Sequence, residues 1–230
     1  MSEESSPFSP EQFSGRARIF PLPNLVMFPH VMQALHVFEP RYRAMVEEAV
    51  EDDRLIALGV LAPGWEQNYE GRPPLRSTAC LCRIATHQRT KQGTYNVLLE
   101  GVRRLRLVNE LPPKKLFREV EAEILDDVEP PDASPTAAAD IQQELLAAFK
   151  RALPQIPDAF SQIDQLLGTQ ISLGMLADIV SYTVELDLET KVRLLAECDV
   201  FRRARLLLEA FAVRPAAQAG RRFPPDFSVN

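Results

Sequence analysis

Arg18-Ile19-Phe20-Pro21-Leu22-Pro23-Asn24-Leu25-Val26-Met27-Phe28-Pro29-His30-Val31-Met32-Gln33-Ala34-Leu35-His36-Val37-Phe38-Glu39-Pro40-Arg41-Tyr42 is the stretch whose reading decides the fold. Four prolines cut it into short apolar runs. Each run can form only a brief strand or an extended segment, because proline lacks an amide donor and bars helix at the residue before it. Gln33 to Phe38 alternates Ala34, His36 and Phe38 against Gln33, Leu35 and Val37, the pattern of a short strand. Pro40 suits the first position of a helix, and Tyr42, Met45, Val46, Ala49 and Val50 follow on one apolar face. Glu51-Asp52-Asp53 end that helix with the charge sign its dipole disfavours, so tertiary contacts must hold that end.

Further on, Leu55 to Leu61 is a continuous apolar run of strand length, which predicts burial on both faces. Ala79 to His87 alternates and meets Thr94 to Leu99 through the Lys91-Gln92-Gly93 corner, a hairpin. Gly101 allows a bend or bulge before a further strand over Val102 to Val108. Phe117 to Leu125 sets Val120, Ala122 and Ile124 against Glu119, Glu121 and Glu123, a strand with an acidic solvated face. After the acidic, proline-rich Asp126 to Ala133 the pattern turns helical. Ser134, Ser172, Asp187 and Asp199 each precede a helical apolar pattern as an N-cap, and Pro157 to Leu167 reads as one more helix.

Composition agrees with a folded protein: 230 residues, 46% hydrophobic and 25% charged. A net charge of -6 argues against broad adhesion to polyanions. No apolar run reaches the roughly 20 residues that span a bilayer, and Met1 to Ser6 lacks the basic and apolar parts of a leader, so the sequence predicts a cytoplasmic protein without membrane association. The three cysteines, Cys80, Cys82 and Cys198, and three histidines, His30, His36 and His87, make no metal-ligand spacing, so Cys80 and Cys82 are expected as core residues and no metal or cofactor is expected.

The runs Phe20-Pro21-Leu22 with Val26-Met27-Phe28-Pro29, then Leu35-His36-Val37-Phe38-Glu39-Pro40-Arg41-Tyr42, resemble the N-terminal substrate-recognition domain of Lon proteases in its stand-alone form. His30 stands where that family commonly has glycine, and Ala34 where it commonly has proline. The Pro63-Gly64-Trp65-Glu66 to Tyr69 loop and the Leu99-x-Gly101-x-x-Arg104-x-Arg106 run are also similar, as is the helical series from Leu176-Ala177-Asp178 through Lys191-x-x-Leu194-Leu195 to Arg205-x-x-Leu208. The resemblance spans roughly residues 18 to 212. It implies an α+β fold: a PUA-like, mostly antiparallel β pseudobarrel with an embedded helix, followed by an α-helical subdomain. Expected boundaries are a flexible arm over 1–15, the β-rich domain over 16–127, a linker over 128–135, the helical subdomain over 136–212 and a flexible tail over 213–230.

The chain contains no Gly-x-x-x-x-Gly-Lys-Ser/Thr phosphate loop, Gly-x-Ser-x-Gly elbow or His-Glu-x-x-His helix, so no catalytic residue is assigned and the family's ATPase and peptidase functions are not carried over. The leading expectation is a non-catalytic module that binds protein or peptide segments, including unfolded or degradation-bound ones, or acts as an adaptor. Exposed strand edges would accept an extended peptide by backbone pairing. RNA binding through the barrel is the alternative, and an uncharacterised hydrolase stands third. Four residues are candidates for partner contact. Trp65 and Tyr69 lie on a polar loop rich in glycine and proline, either as recognition anchors or as staples that pin the loop. Arg104 and Arg106 belong to the main basic cluster with Arg103, Lys114, Lys115 and Arg118, where neighbouring glutamates favour salt-bridged arginines over phosphate contacts.

Overall fold

The closely spaced prolines keep the first strands short, whereas the long alternating run beyond them forms the longest strand of the sheet. The computed structural model describes residues 8–69, 71–131, 134–152 and 171–213. The chain divides into two compact units between Leu125 and Asp126. In the first, β1 (Arg16–Leu22), β2 (Met32–Val37), α1 (Pro40–Glu51), β3 (Leu55–Leu61), β4 (Leu75–Arg89), β5 (Tyr95–Glu110) and β6 (Arg118–Leu125) follow one another. The sheet order is β2-β5-β4-β3-β1-β6, and β5 also pairs with β6. Five strands therefore close on themselves and β2 rides outside on β5. All pairings are antiparallel except β1 with β3, whose crossover contains α1.

Both faces of β3 are covered, as its continuous apolar run predicts: every residue from Leu55 to Leu61 is buried. Leu55 and Ala57 join Ile19, Leu81, Val102, Leu105 and Val120 in one core cluster. On the opposite face of β1, the ring of Phe20 lies 4.4 Å from that of Tyr42 on α1, whose Tyr42, Met45, Val46 and Ala49 are buried. Cys80 and Cys82 share one buried face of β4. Pro21 is tolerated within β1 because it falls beyond the last β6 pair, Ile19 with Arg118.

β5 is one strand where two were expected, and it changes partners along its length. Residues Tyr95 to Glu100 pair with β2, and Arg104 to Glu110 pair with β6. At the change, Cys82 faces Gly101 and Leu81 faces Arg103, which leaves Val102 as the extra residue of a bulge. The proline-punctuated segment before β2 crosses here: His30 N donates to Gly101 O at 2.8 Å, and Gly101 N donates to Val31 O at 2.9 Å. A Cβ on Gly101 would stand 2.0 Å from the Phe28 carbonyl oxygen, so only glycine permits the approach. His30 turns this corner at φ 66, a left-handed conformation in which glycine is the easier residue.

The acidic end of α1 is held by one guanidinium. Arg18 on β1 donates to Glu48 at 2.8 Å, Asp53 at 2.6 Å, Asp52 at 2.5 Å and the Leu55 carbonyl at 3.2 Å. Lys115 adds contacts to Glu48 at 2.8 Å and Glu119 at 3.0 Å. Burial opposes the charge on Arg18, yet its carboxylate partners raise its pKa above the ordinary value. Burial likewise opposes ionisation of Glu48, but the hydrogen bonds from Lys115 and Arg18 outweigh it and lower its pKa.

Residues 8–15, read as part of a loose arm, are tied down: Phe8 and Phe13 pack against the core cluster, and Phe13 N donates to Pro10 O at 3.1 Å. Serines, prolines and glutamates dominate this stretch, but its two isolated phenylalanines are each large enough to hold a short segment.

In the second unit, α2 (Pro135–Ala152), α3 (Leu173–Thr183), α4 (Leu188–Ala196) and α5 (Val200–Val213) start at the expected caps. Ser134 Oγ accepts from Ala137 N at 3.1 Å, Ser172 Oγ from Met175 N at 3.2 Å, Asp187 Oδ1 from Thr190 N at 2.9 Å, and Asp199 Oδ1 from Phe201 N at 2.9 Å. The helix expected over Pro157 to Leu167 lies outside the described residues, as do 1–7 and the tail beyond 213. Of the segment 128–135, Val128 is bridged to Asp199, with Val128 N donating to Cys198 O at 2.8 Å. Arg203 is fully buried and holds Asp127 at 2.9 and 2.7 Å and Asp178 at 3.3 Å, a cluster that sequence periodicity did not reveal.

Two outcomes test this account. Gly101→Ala should lower stability by about 2 to 3 kcal/mol, read from the denaturant midpoint, because the added methyl must push the Phe28 carbonyl aside. The contribution of Glu48 is complete above its ordinary pKa of 4.5 and is lost as pH falls through its lowered folded value. The stability gap between wild type and Glu48→Gln should therefore be full at neutral pH and close on acidification below 4.5.

Candidate functional site

The Phe38-Glu39-Pro40-Arg41-Tyr42 run brings β2, the start of α1 and the tryptophan loop to one surface. Pro40 opens the helix, and the free side chain of Glu39 turns to two partners. Its Oε1 accepts from the Tyr69 hydroxyl at 3.1 Å, and its Oε2 accepts from Arg41 Nε at 2.9 Å. The Arg41 guanidinium lies 4.7 Å from the Tyr42 ring centre and 5.3 Å from that of Tyr69. Burial, and then the negative charge of Glu39, raise the Tyr69 pKa above its ordinary value of 10.0. Trp65 begins a short 3-10 turn after Gly64, which takes φ 86, and sets its ring edge-on to Tyr69 at 5.6 Å. Tyr69 thus has both ring and hydroxyl engaged within the first unit. Trp65 is half-buried.

Arg104 and Arg106 do not join this surface in a shared basic patch. Arg104 is 3% exposed, so its charge is withdrawn from solvent. Arg106 is exposed and pairs with Glu123, its cross-strand neighbour on β6. Others in the cluster are also engaged: Arg103 donates to Val102 O at 2.7 Å, and Arg118 donates to Glu110 at 2.9 Å and to Pro73 O at 2.8 Å. Strand alternation placed Arg104 and Arg106 on one side, but only the register of β6 decides which of them meets solvent.

A feature beyond the four candidates is the outer edge of β2. Gly101 N bonds Val31 O in the register that continues as Met32 with Glu100 and Gln33 with Leu99. In an antiparallel ladder the bonded and non-bonded pairs alternate. Gln33, Leu35 and Val37 therefore direct their backbone groups toward β5, and Met32, Ala34 and His36 direct theirs outward. Among the described residues β5 is the only strand paired with β2. The Ala34 carbonyl accepts from the Gln33 side-chain amide at 2.6 Å. Met32, Ala34, His36 and Phe38 have exposed side chains, with Met32 at 47% and Phe38 at 42%. His36 stacks on Phe38 at 6.3 Å and bonds Asn96 Oδ1 at 2.7 Å. His36 meets Phe38, and the next residue, Glu39, bonds Tyr69, whose ring meets Trp65. The alternation of Ala34, His36 and Phe38 was the sequence signal for this face. Its exposure was not legible, because whether a strand is central or at an edge depends on the others.

A family model, ATP-dependent protease La (LON) substrate-binding domain, matches residues 16–212. Curated relatives include Lon protease 2 of Myxococcus xanthus, 25% identical over 191 residues and matching 83% of this chain, and Lon protease 1 of Thermus thermophilus, 28% identical over 194 residues. The chain spans 23% and 24% of those two proteins. The N-terminal domain of Mycobacterium avium complex Lon protease shares its fold at TM-score 0.66 and 19% identity, covering 87% of this chain and all of that one. A Lon N-terminal domain protein from Xanthomonas campestris superposes at TM-score 0.60 and 18% identity, covering 87% of this chain and 99% of that one. The fold defines an α+β domain of the kind found at the N-terminus of Lon proteases. The chain belongs to the Lon substrate-binding domain family.

Among the described residues no helix is long and apolar enough to cross a membrane. Tyr69→Phe should cost about 1 to 2 kcal/mol through loss of the hydroxyl contact to charged Glu39. Trp65, the only tryptophan, should report the loosened loop as a red shift of its fluorescence at a lower denaturant concentration.

Proposed function

We propose that this chain is a non-catalytic recognition module that captures extended, unfolded segments of other proteins along the outer edge of β2. The observation that carries this reading is the coincidence, at one strand, of outward-directed backbone groups with the exposed side chains of Met32, Ala34, His36 and Phe38. An extended segment laid against that edge gains main-chain hydrogen bonds from Met32, Ala34 and His36. Its apolar side chains cover Met32 and Phe38, which supplies affinity without demanding a particular sequence. Trp65 extends the surface beyond Glu39 and is the aromatic anchor, while Tyr69 holds it in place. Such a module would present captured protein to a protease or to another partner, and this role needs no nucleotide. The burial of Arg104 and the pairing of Arg106 weigh against the RNA reading.

Ala34→Pro provides a sharp test. It deletes an outward N–H and keeps the groups of Gln33, Leu35 and Val37 that hold β2 to β5. Binding of a carboxymethylated, permanently unfolded polypeptide should weaken about tenfold, the cost of one or two lost backbone bonds, while the circular dichroism spectrum is unchanged. Unaltered affinity in the folded variant would remove β2 from the site. Tight RNA binding that is lost in Arg106→Ala would favour the nucleic-acid reading instead.

A further inference from the structure

The helical unit carries a charged cluster that its internal contacts leave unused. Arg202, Arg205, Leu206 and Glu209 follow at i, i+3, i+4 and i+7 on α5 and so form one stripe. With Arg193 and Glu197 at the end of α4, they line a surface depression of about 500 Å³. Arg193, Arg202 and Arg205 are exposed, and among the described residues the side chain of none of them makes a hydrogen bond or ion pair. This contrasts with Arg203 on the same helix, fully buried against Asp127 and Asp178, and with Arg18, Arg83, Arg106 and Arg118, each paired with a carboxylate. In a chain of net charge -6, three arginines line one hollow, and among the described residues none of them is paired with a carboxylate.

The surroundings select among anions. The hollow adjoins the C-terminal end of α4, where the dipole is negative, and Glu197 and Glu209 lie in its wall. Glu197 is fixed there, because its Oε1 accepts from Asp199 N at 2.9 Å. Two carboxylates beside the arginines disfavour a densely charged phosphate polymer. They suit a ligand that alternates its charges. Leu206 and Ala196 supply an apolar floor, and the volume accommodates roughly two or three side chains. Guanidinium forks bind carboxylates in a bidentate manner, an aliphatic side chain covers Leu206, and a basic residue answers Glu209.

We propose that this hollow is a second docking site, for a segment of a partner protein in which acidic and aliphatic residues alternate and a lysine or arginine follows. It lies on the helical unit and does not depend on the β2 reading.

The test uses the full chain and two labelled peptides of equal length, one alternating glutamate and leucine and ending in lysine, the other with glutamate and lysine exchanged. The acidic peptide should bind and the exchanged one should bind at least about tenfold more weakly, with affinity falling as salt rises. The double variant Arg202→Ala, Arg205→Ala should lose about tenfold for the acidic peptide, and Arg205→Glu should narrow or reverse the preference between the two peptides. Both residues are exposed, so the variants keep the fold. Binding of the carboxymethylated polypeptide should be untouched by these changes, and Ala34→Pro should leave the acidic peptide unaffected. That separation distinguishes failure at the hollow from failure at β2. Equal affinity for the two peptides, no binding of the acidic one, or unchanged affinity in the double variant overturns the proposal. Displacement of the acidic peptide by an RNA oligonucleotide that binds more tightly through the same arginines also overturns it.

Discussion

The close approach of the Phe28 carbonyl to Gly101 is the constraint on which the first unit depends. β5 must serve β2 near its beginning and β6 near its end, and a single strand does so only if it bends and twists between them. The bulge at Val102 supplies the bend. The missing side chain at Gly101 lets the segment before β2 cross at hydrogen-bonding distance, which seats β2 on the outside of the closed strands. The exposed edge of β2 is therefore a product of the same kink that allows β5 and β6 to complete the ring.

Charge is distributed by a related logic. The C-terminal end of α1 gathers acidic residues that its dipole cannot favour, and Arg18 reaches it from β1, the strand beside β3. Arg118 performs a comparable task between Glu110 and the Pro73 carbonyl. These arginines are structural because their hydrogen-bonding capacity is occupied inside the fold. What then stands out is polar or charged surface left over: the outer backbone groups of β2 in the first unit and the arginine hollow in the second.

Much of the fold was legible from local rules. The caps at Ser134, Ser172, Asp187 and Asp199 were readable because a short polar side chain ahead of an apolar helical pattern satisfies the free N–H groups that any helix start exposes. Leu55 to Leu61 announced a fully covered strand by having no polar alternation. Phe8 and Phe13 were missed because isolated aromatics in a polar segment carry no period, and only the surface they pack on gives them a role. Trp65 and Tyr69 were recognised as the loop's distinctive pair. The contacts that hold Tyr69 come from Glu39 and Arg41, which lie roughly thirty residues away in sequence and meet the loop only in the folded chain.

The sequence by itself determined most of the described elements, the family and the absence of nucleotide-binding and hydrolase motifs, since each is written in neighbouring residues: prolines and caps at the ends, apolar period between them, and contiguous motif runs. Only the tertiary structure decided which strand lies at the edge, which arginine is buried and which carboxylate each cation meets. Arg104 and Arg106 share a strand and a side, yet one is enclosed and the other reaches Glu123. The physical reason is that exposure and ion pairing are properties of register and closure. They arise between strands far apart in the chain, where no local pattern records them.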